Sequence, residues 1–217
     1  ILMSMKGDKK PVAFIEDCAV SLDHLADYTA QLKEIFKKYN TSGMFYAHAS
    51  VGTLHIRPVL NMKSDEDIKN MRSISEESFE IVKNYKGSHS GEHGDGIVRS
   101  EFHEMMFGKK IVNAFEEIKD TFDSKNLLNP GKIVRPFKSN DRDLMRYKSG
   151  YQAQNISTHY DWSNWGQFTD AVEMCNNNGA CRKLDSGVMC PSYRVTKEEK
   201  DLVRGRANTL RLALSNQ

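Results

Sequence analysis

Three histidines and a glutamate form the pattern in this sequence that is most suggestive of chemistry. His48 and His55 lie in FYAHASVGTLHIRPVL (residues 45–60), and Glu92 and His93 lie in GSHSGEHGDGIVR (residues 87–99). Two imidazoles and a carboxylate are the ligand types of catalytic metal sites, which keep coordination positions open. We therefore predict a divalent metal bound by His48, His55 and Glu92, which leaves His93 as a candidate general base.

A short hairpin would bring the first two histidines together. A tight turn at Val51 and Gly52 would place His48 directly opposite His55, with Cβ atoms about 4.5–5.5 Å apart on one face of the sheet. Side chains alternate along a strand. The second strand is thus predicted to have a chemical face with His55, Arg57 and Val59, and a core face with Leu54, Ile56 and Leu60. Two histidines that merely pack or hydrogen-bond in a sheet remain the alternative.

Glycines surround the second segment. Gly91 and Gly94 flank Glu92 and His93, so the backbone there can adopt conformations that other residues disfavour. We expect the two neighbouring side chains to point at different targets.

Apolar periodicity predicts the elements that carry these segments. Stripes with spacings of three and four predict helices over residues 22–39 and 68–85 and a third from residue 111 to near Asn126, and Ser64 with Asp67 predicts an N-terminal cap for the second helix. The apolar run at residues 12–15 predicts a strand. This order predicts an α+β fold, with an antiparallel sheet covered by helices on one face.

Composition limits the class of protein. The chain has 217 residues, of which 39% are hydrophobic and 28% charged, enough for one core and a second small unit. No apolar run approaches the roughly 18 residues of a membrane span, and no signal peptide is recognisable. We expect a cytoplasmic protein, with peripheral membrane association left open. A net charge of +2 does not favour a nucleic-acid partner.

The four cysteines are unevenly distributed. Cys18 is isolated, whereas Cys175, Cys181 and Cys190 cluster near the end of the chain. Such clustering favours metal or iron–sulfur binding over disulfides in a reducing compartment, with a structural zinc site as the alternative. The Cys190-Pro191 pair is typical of bacterial ferredoxin motifs, but the preceding spacing is not.

Several common motifs are absent. No G-x-G-x-x-G follows a strand, so an NAD-binding Rossmann site is not supported. The sequence also has no P-loop and no G-x-S-x-G elbow.

The segments YAHASVGTLHIRP, GEHGDG and LLNPGKIV (residues 127–134) together resemble the C-terminal domain of FAD-linked oxidases, a group with D-lactate, D-2-hydroxyglutarate and glycolate dehydrogenases. The resemblance implies a ferredoxin-like sandwich. It matches His48, His55 and Glu92 with the ligands of a divalent metal, Zn or Mn. It also matches His93 with the base that takes the substrate's hydroxyl proton as hydride leaves Cα for flavin N5. The metal would hold the carboxylate and hydroxyl of a 2-hydroxy acid.

One departure from the family concerns the second histidine. Many members read GDGNLH there, whereas this chain reads SVGTLH at residues 50–55. The ligand spacing is kept but the polar Asp and Asn are missing, which leaves the metal and the substrate open.

The resemblance also points to cofactor and substrate contacts. Asn129 and Lys132 would face the flavin, with an ordinary C-terminal loop as the alternative. Arg57 shares the predicted face of His55 and could bind a substrate carboxylate bidentately, unless it pairs with a neighbouring acid. Arg99 is a weaker candidate for the same role.

The C-terminal part, through RGRANTLR at residues 204–211, resembles the iron–sulfur half of fused FAD and Fe-S oxidoreductases. We predict a substrate and metal domain at residues 1–137, a linker at 138–160, and the start of a mostly α-helical Fe-S domain at 161–217. The FAD-binding domain would precede Ile1, and further cysteines for a 4Fe-4S cluster would follow Gln217.

The chain is therefore expected to be an excerpt that is inactive alone and holds a cluster poorly. In the parent protein, electrons would pass from FAD through clusters to a carrier or quinone. Two alternatives use the same residues differently: a metal-dependent hydrolase with the His, His, Glu site, and a non-catalytic electron-transfer or scaffold module.

Overall fold

The computed structural model of the chain describes residues 5–185 and 187–217. Within these residues it forms two compact units, a larger one at Lys10–Ser149 and a smaller one that joins the residues before Lys10 to Gly150–Gln217. The predicted domain boundaries at residues 137 and 160 stay predictions.

The larger unit contains a small antiparallel sheet and several helices. Its strands are β1 (Lys9–Pro11), β2 (Cys18–Ala19), β3 (Gly43–His48) and β4 (Thr53–Asn61). Its helices are α1 (Leu25–Lys38), α2 (Asp65–Asn84), α3 (Gly96–Arg99), α4 (His103–Phe107) and α5 (Lys109–Phe122).

Strand β4 is the centre of the sheet. One edge of β4 pairs with β3, from Gly43 opposite Pro58 to His48 opposite Thr53. The other edge is shared, because β2 pairs near the start of β4 and β1 lies further along it. A single bridge between Ala19 and Ser88 extends the sheet beyond β2. The predicted antiparallel sheet is confirmed, while its ferredoxin-like classification stays a prediction.

Helices α1 and α2 cover one face of the sheet. The core face of β4 was predicted correctly, since Leu54, Ile56 and Leu60 are each no more than 5% exposed. They belong to one apolar cluster with side chains of both helices, namely Tyr28, Leu32, Ile35, Phe36, Met71, Ile74, Phe79 and Val82. The opposite face of β4 carries His55, Arg57 and Val59.

The sequence signals for the helices are largely confirmed. The Ser64 hydroxyl accepts the Asp67 amide at 3.3 Å and caps α2, while the Asp67 carboxylate accepts the amide of Asn61 at 2.7 Å. Helix α1 begins later than predicted, because residues 22–24 form a 3-10 turn.

The apolar run at residues 12–15 was wrongly predicted to be a strand. Phe14 and Ile15 are buried in the core, but their backbone is irregular and leads into a turn at Asp17, where φ is +60°. The apolar run therefore reflects the burial of these side chains, although the Val12 amide donates to the Pro58 carbonyl oxygen of β4 at 2.8 Å.

The smaller unit is built from α6 (Phe168–Glu173), α7 (Pro191–Thr196) and α8 (Val203–Ser215). A small apolar cluster joins Cys190, Tyr193 and Leu202. Both tryptophans of the chain lie in this unit: Trp162 packs on Phe168 with ring centroids 5.3 Å apart, and Trp165 lies beneath the ammonium group of Lys6. Among the described residues, no helix is long and apolar enough to cross a membrane.

Candidate functional site

The β3–β4 hairpin positions two histidines on the polar face of the sheet, in a register that differs from the predicted one. Residues 49–51 form a 3-10 turn that ends at Gly52 in the left-handed region, so His48 pairs with Thr53 and His55 pairs with Tyr46. The two histidines are therefore diagonal neighbours. The partner of each residue has moved by two positions, and an even shift keeps both side chains on one face.

Glu92 completes the group that was predicted from the sequence. Its carboxylate oxygens lie 3.7 Å from His48 Nε2 and 3.9 Å from His55 Nε2, and one ligand atom from each of the three residues falls within 4.8 Å of the others. Metal–ligand bonds of about 2.1 Å allow two ligands of one ion to be at most about 4.2 Å apart. Both separations from Glu92 lie within this limit, as two ligands of a single ion require.

The burial and exposure of this group also suit a metal. His55 is 1% exposed, and among the described residues neither of its ring nitrogens has a hydrogen-bond partner. A buried imidazole without partners is costly unless a ligand satisfies it. The side chains of His48 and Glu92 are 56% and 38% exposed, which leaves one side of the group open to a substrate.

An aspartate that the sequence prediction missed holds the Glu92 loop. Asp17 is fully buried, and its Oδ2 accepts the amides of Glu92 at 2.7 Å and of His93 at 2.6 Å. The Gly91 amide donates to the Asp17 carbonyl oxygen at 2.8 Å, and a Cβ on Gly91 would lie only 2.9 Å from that oxygen. Burial raises the pKa of Asp17, but the two amide donors and Arg99 outweigh it, so this pKa lies below its usual value.

Arg99 supports the same loop from the inside. Its guanidinium pairs with Asp17 and donates to the carbonyl oxygens of Glu16, His89 and Gly94. Arg99 is only 7% exposed. These contacts argue against the predicted role of Arg99 in substrate binding, because its donors already face acceptors of the protein.

Arg57 pairs with a neighbouring acid, which was one of the two roles predicted for it. Its Nη2 and Nε donate to Glu16 Oε1 at 2.7 and 3.3 Å, and the same oxygen lies 3.6 Å from His55 Nδ1. Glu16 therefore links Arg57 to the back of the His55 ring. A carboxylate that accepts the N–H of a ligating imidazole orients the ring and raises its basicity; at 3.6 Å Glu16 lies close to Nδ1 without hydrogen bonding to it. The Arg57 side chain remains 27% exposed.

His93 lies against the same imidazole from another side. Its ring stacks on His55 with centroids 5.0 Å apart, and its Nε2 is 3.8 Å from Glu92 Oε2. Glu16, His55 and His93 form a second convergent set around His55. The side chain of His93 is 45% exposed, so a substrate held at the open side can reach it.

Asn129 and Lys132 lie together elsewhere on the larger unit. The Lys132 ammonium group donates to Asn129 Oδ1 at 3.3 Å, and both residues line a cleft of about 510 Å³ with mostly apolar walls from α5. The described residues that line it do not include His48, His55, Glu92 or His93.

The three clustered cysteines all belong to the smaller unit. Cys190 is buried, and Cys175 and Cys181 are half-buried. Among the described residues, no convergent set of possible metal ligands includes a cysteine. The iron–sulfur assignment therefore stays a prediction.

Glu16 and Asp17 are the functional residues that sequence reasoning overlooked. The available signal was an acidic pair directly after a buried apolar run, in FIEDC. Both side chains turn out to be buried, which is unusual for acids without partners.

Comparisons with known proteins identify several relatives that are similar in sequence. A D-2-hydroxyglutarate dehydrogenase of Pseudomonas putida is 35% identical over 212 residues, which cover 97% of this chain and 21% of that protein. A D-lactate dehydrogenase of Archaeoglobus fulgidus is 30% identical over 133 residues, covering 61% of this chain and 29% of that protein. The glycolate oxidase subunit GlcD of Bacillus subtilis is 30% identical over 124 residues, or 57% of this chain and 26% of that protein.

This chain thus spans about a fifth of the length of the P. putida relative. The family model described as FAD linked oxidases, C-terminal domain, matches residues 2–133, which contain the β3–β4 hairpin, the Glu92 loop and Asp17. The chain belongs to the FAD-linked oxidases, and residues 2–133 are their C-terminal domain.

Proposed function

We propose that this chain provides the metal and substrate site of a flavin-dependent dehydrogenase that oxidises a D-2-hydroxy acid. The observation that carries the proposal is the convergence of His48, His55 and Glu92 beside His93. The names of the relatives supply the substrate class, since they are D-2-hydroxyglutarate, D-lactate and glycolate enzymes.

The three ligands and the base have separate tasks. His48, His55 and Glu92 hold a divalent metal, Zn or Mn, which when bound supplies a Lewis acid for the carboxylate and hydroxyl of the substrate. His93 then accepts the hydroxyl proton at a ring nitrogen. Glu16 and Arg57 fix the orientation of His55, and Asp17 fixes the backbone on which both Glu92 and His93 stand.

Among the 2-hydroxy acids, we propose D-2-hydroxyglutarate as the substrate. The D-2-hydroxyglutarate dehydrogenases match 97% of this chain, whereas the D-lactate and glycolate relatives match about 60% of it. A second carboxylate on the substrate also needs a cation. Arg57 lies on the face of β4 that carries His55 and is part-exposed, so it can contribute to that contact without leaving Glu16.

The hydride acceptor is proposed to be FAD, bound mainly by residues outside these 217. Asn129 and Lys132 would meet it, since an apolar cleft with an amide and an ammonium group suits an aromatic ring with polar edges. Cys175, Cys181 and Cys190 would contribute to a 4Fe-4S relay toward an electron carrier or quinone, with the remaining ligands supplied from elsewhere.

The test is anaerobic bleaching of the flavin in the full-length protein that carries this chain. D- and L-2-hydroxy acids are added one at a time to the wild type, to His93→Ala, and to His159→Ala, which changes an exposed histidine of the smaller unit. We expect D-2-hydroxyglutarate to bleach the wild type and His159→Ala, and to bleach His93→Ala at least 100-fold more slowly.

Two results would contradict the proposal. If the protein carries no flavin, the hydrolase and the non-catalytic module become the better readings. If bleaching is equally fast in His93→Ala, the histidine is not the base and the assignment of the site is wrong.

A further inference from the structure

A second group of possible ligands lies behind the Glu92 loop, apart from the residues that the proposed function uses. It consists of His89 and Asp95 on the loop and His103 at the start of α4. Asp95 Oδ1 is 3.2 Å from His89 Nε2, and Asp95 Oδ2 is 3.0 Å from His103 Nε2. One ligand atom from each residue lies within 4.8 Å of the other two.

Four polar atoms of this group have no hydrogen-bond partner in the part of the chain that the structure describes. His89 is 1% exposed and His103 is 2% exposed, and the atoms without partners are both ring nitrogens of His89, Nε2 of His103 and Oδ1 of Asp95. A buried polar atom without a hydrogen-bond partner calls for one that these residues do not supply.

The tautomer of His103 is a second reason to expect a further partner for this group. Its Nδ1 lies 3.1 Å from the carbonyl oxygen of Ile133, and because a carbonyl only accepts, Nδ1 must carry the proton. In the neutral ring, Nε2 then presents a lone pair to the Asp95 carboxylate. Two acceptors 3.0 Å apart require a positive charge between them. An imidazole that donates through one nitrogen to a carbonyl and turns the other toward a carboxylate has the arrangement of a metal ligand.

The charged groups around His89, Asp95 and His103 are compatible with a bound cation. Arg99 is a fixed cation that acts on His89, and its charge is paired with Asp17. Phe79 and Phe107 pack edge-on against the His89 ring, with centroids 5.4 and 5.5 Å away.

We propose that His89, Asp95 and His103 form a second, buried site for a divalent transition metal of the zinc type. Two imidazoles and one carboxylate suit such ions and do not suit Ca²⁺ or Mg²⁺, which prefer oxygen ligands. A cleft of about 260 Å³ is lined by His89, Asp95 and Glu92, which gives the ion a route from solvent.

The site would tie the loop to α4. Glu92 and His93 lie in the segment between His89 and Asp95. An ion bound by His89, Asp95 and His103 would therefore hold both ends of that segment against α4. This inference does not depend on the proposed activity, because the second site can be occupied whether or not the protein oxidises a hydroxy acid.

The first test counts metal ions in the full-length protein that carries this chain. The protein is stripped with a chelator, refilled with Zn²⁺, passed through a desalting column and measured by elemental mass spectrometry. His103→Asn and Asp95→Asn are expected to lose one equivalent of zinc relative to the wild type. Glu104→Gln, an exposed neighbour on α4, is the matched control and should retain it.

Glu92→Gln separates this inference from the proposed function. It should lose only the equivalent bound by His48 and His55, and the equivalent at His89 should remain. Zinc content unchanged in a folded His103→Asn protein would overturn the second site, and so would loss of all zinc in Glu92→Gln.

A measurement on the wild type covers the case in which the variants do not fold. Crystals of the zinc-loaded protein, measured at the zinc absorption edge, should show an anomalous peak between His89, Asp95 and His103. If zinc occupies the His48 site and no peak appears at the second group, His103 carries an extra proton instead and the inference is wrong.

Discussion

Replacing Asp17 by Asn should release the loop that carries Glu92 and His93. Asp17 is fully buried and accepts three sets of donors, namely the amides of Glu92 and His93 and the guanidinium of Arg99. An Asn amide has nearly the same shape, but one of its ends is a donor. Whichever way the amide is oriented, buried donors of the protein face another donor.

The size of the effect follows from these contacts. Removing one partner of a buried ion pair costs about 3–5 kcal/mol, because the other charge stays buried. The Arg99 guanidinium keeps three carbonyl acceptors, so we expect the lower end, about 3 kcal/mol of the free energy of unfolding.

The dependence of this effect on pH has a definite sign. The pKa of Asp17 is lower in the folded chain than its usual value, so its carboxylate stabilises the fold above about pH 4. That contribution is lost as the pH falls through the lower, folded-state pKa. The difference between the wild type and Asp17→Asn should therefore be full at neutral pH and shrink in acid.

The assay is a urea titration read by pulsed hydrogen exchange and mass spectrometry, which follows peptides of α1 and α2 separately from the smaller unit. Asp120→Asn is the control, since Asp120 forms an ion pair with Arg135 in which both side chains are exposed and should change stability by less than about 1 kcal/mol. A loss below about 1 kcal/mol in Asp17→Asn as well would refute the reasoning that the buried carboxylate holds the loop.

Three further changes test other parts of the site. Glu16→Gln should weaken zinc binding at His55 by roughly 10–100-fold in a chelator competition, because the carboxylate behind the ring is lost; unchanged affinity would remove Glu16 from the site. Glu92→Gln should weaken the same binding more than Glu16→Gln does, and the reverse order would argue against Glu92 as a ligand. Gly52→Ala should lower the urea midpoint strongly, since φ is +71° and the new Cβ would lie 1.9 Å from the Val20 carbonyl oxygen. Gly108→Ala, with φ of +81°, ψ of 158° and no atom within 4 Å, should show only the strain of a backbone conformation nearly restricted to glycine, about 1–3 kcal/mol, and equal losses in the two glycine variants would rule out the steric clash.

The alternation of side chains in β4 was readable from the sequence, and the register of the hairpin was not. The core face with Leu54, Ile56 and Leu60 follows from a period of two, which needs no knowledge of the partner strand. The pairing of His48 with Thr53 depends on a 3-10 turn and a left-handed Gly52. A glycine in the sequence permits that conformation without requiring it.

The residues that support the site were harder to predict, because their contacts are distant in sequence. Asp17 reaches the amide of His93 across 76 positions, and Arg99 reaches Asp17 across 82. Local patterns carry no information about such pairs. Helix α5 shows the same limit, since its period was predicted correctly, but Ile118 is 59% exposed and Phe122 is 84% exposed. An amphipathic pattern tells which face is apolar and not what covers it.

The position of the two tryptophans determines which part of this protein tryptophan fluorescence reports on. Trp162 and Trp165 both lie in the smaller unit, and Trp165 is next to Lys6 of that same unit. Their emission will follow the surroundings of the smaller unit. The larger unit, with both groups of histidines, contributes only tyrosine and phenylalanine signals, among them that of Tyr46 stacked on His55 with ring centroids 4.4 Å apart. Metal binding at His55 should therefore be followed by tyrosine absorbance or fluorescence. An unchanged tryptophan spectrum carries no information about that site.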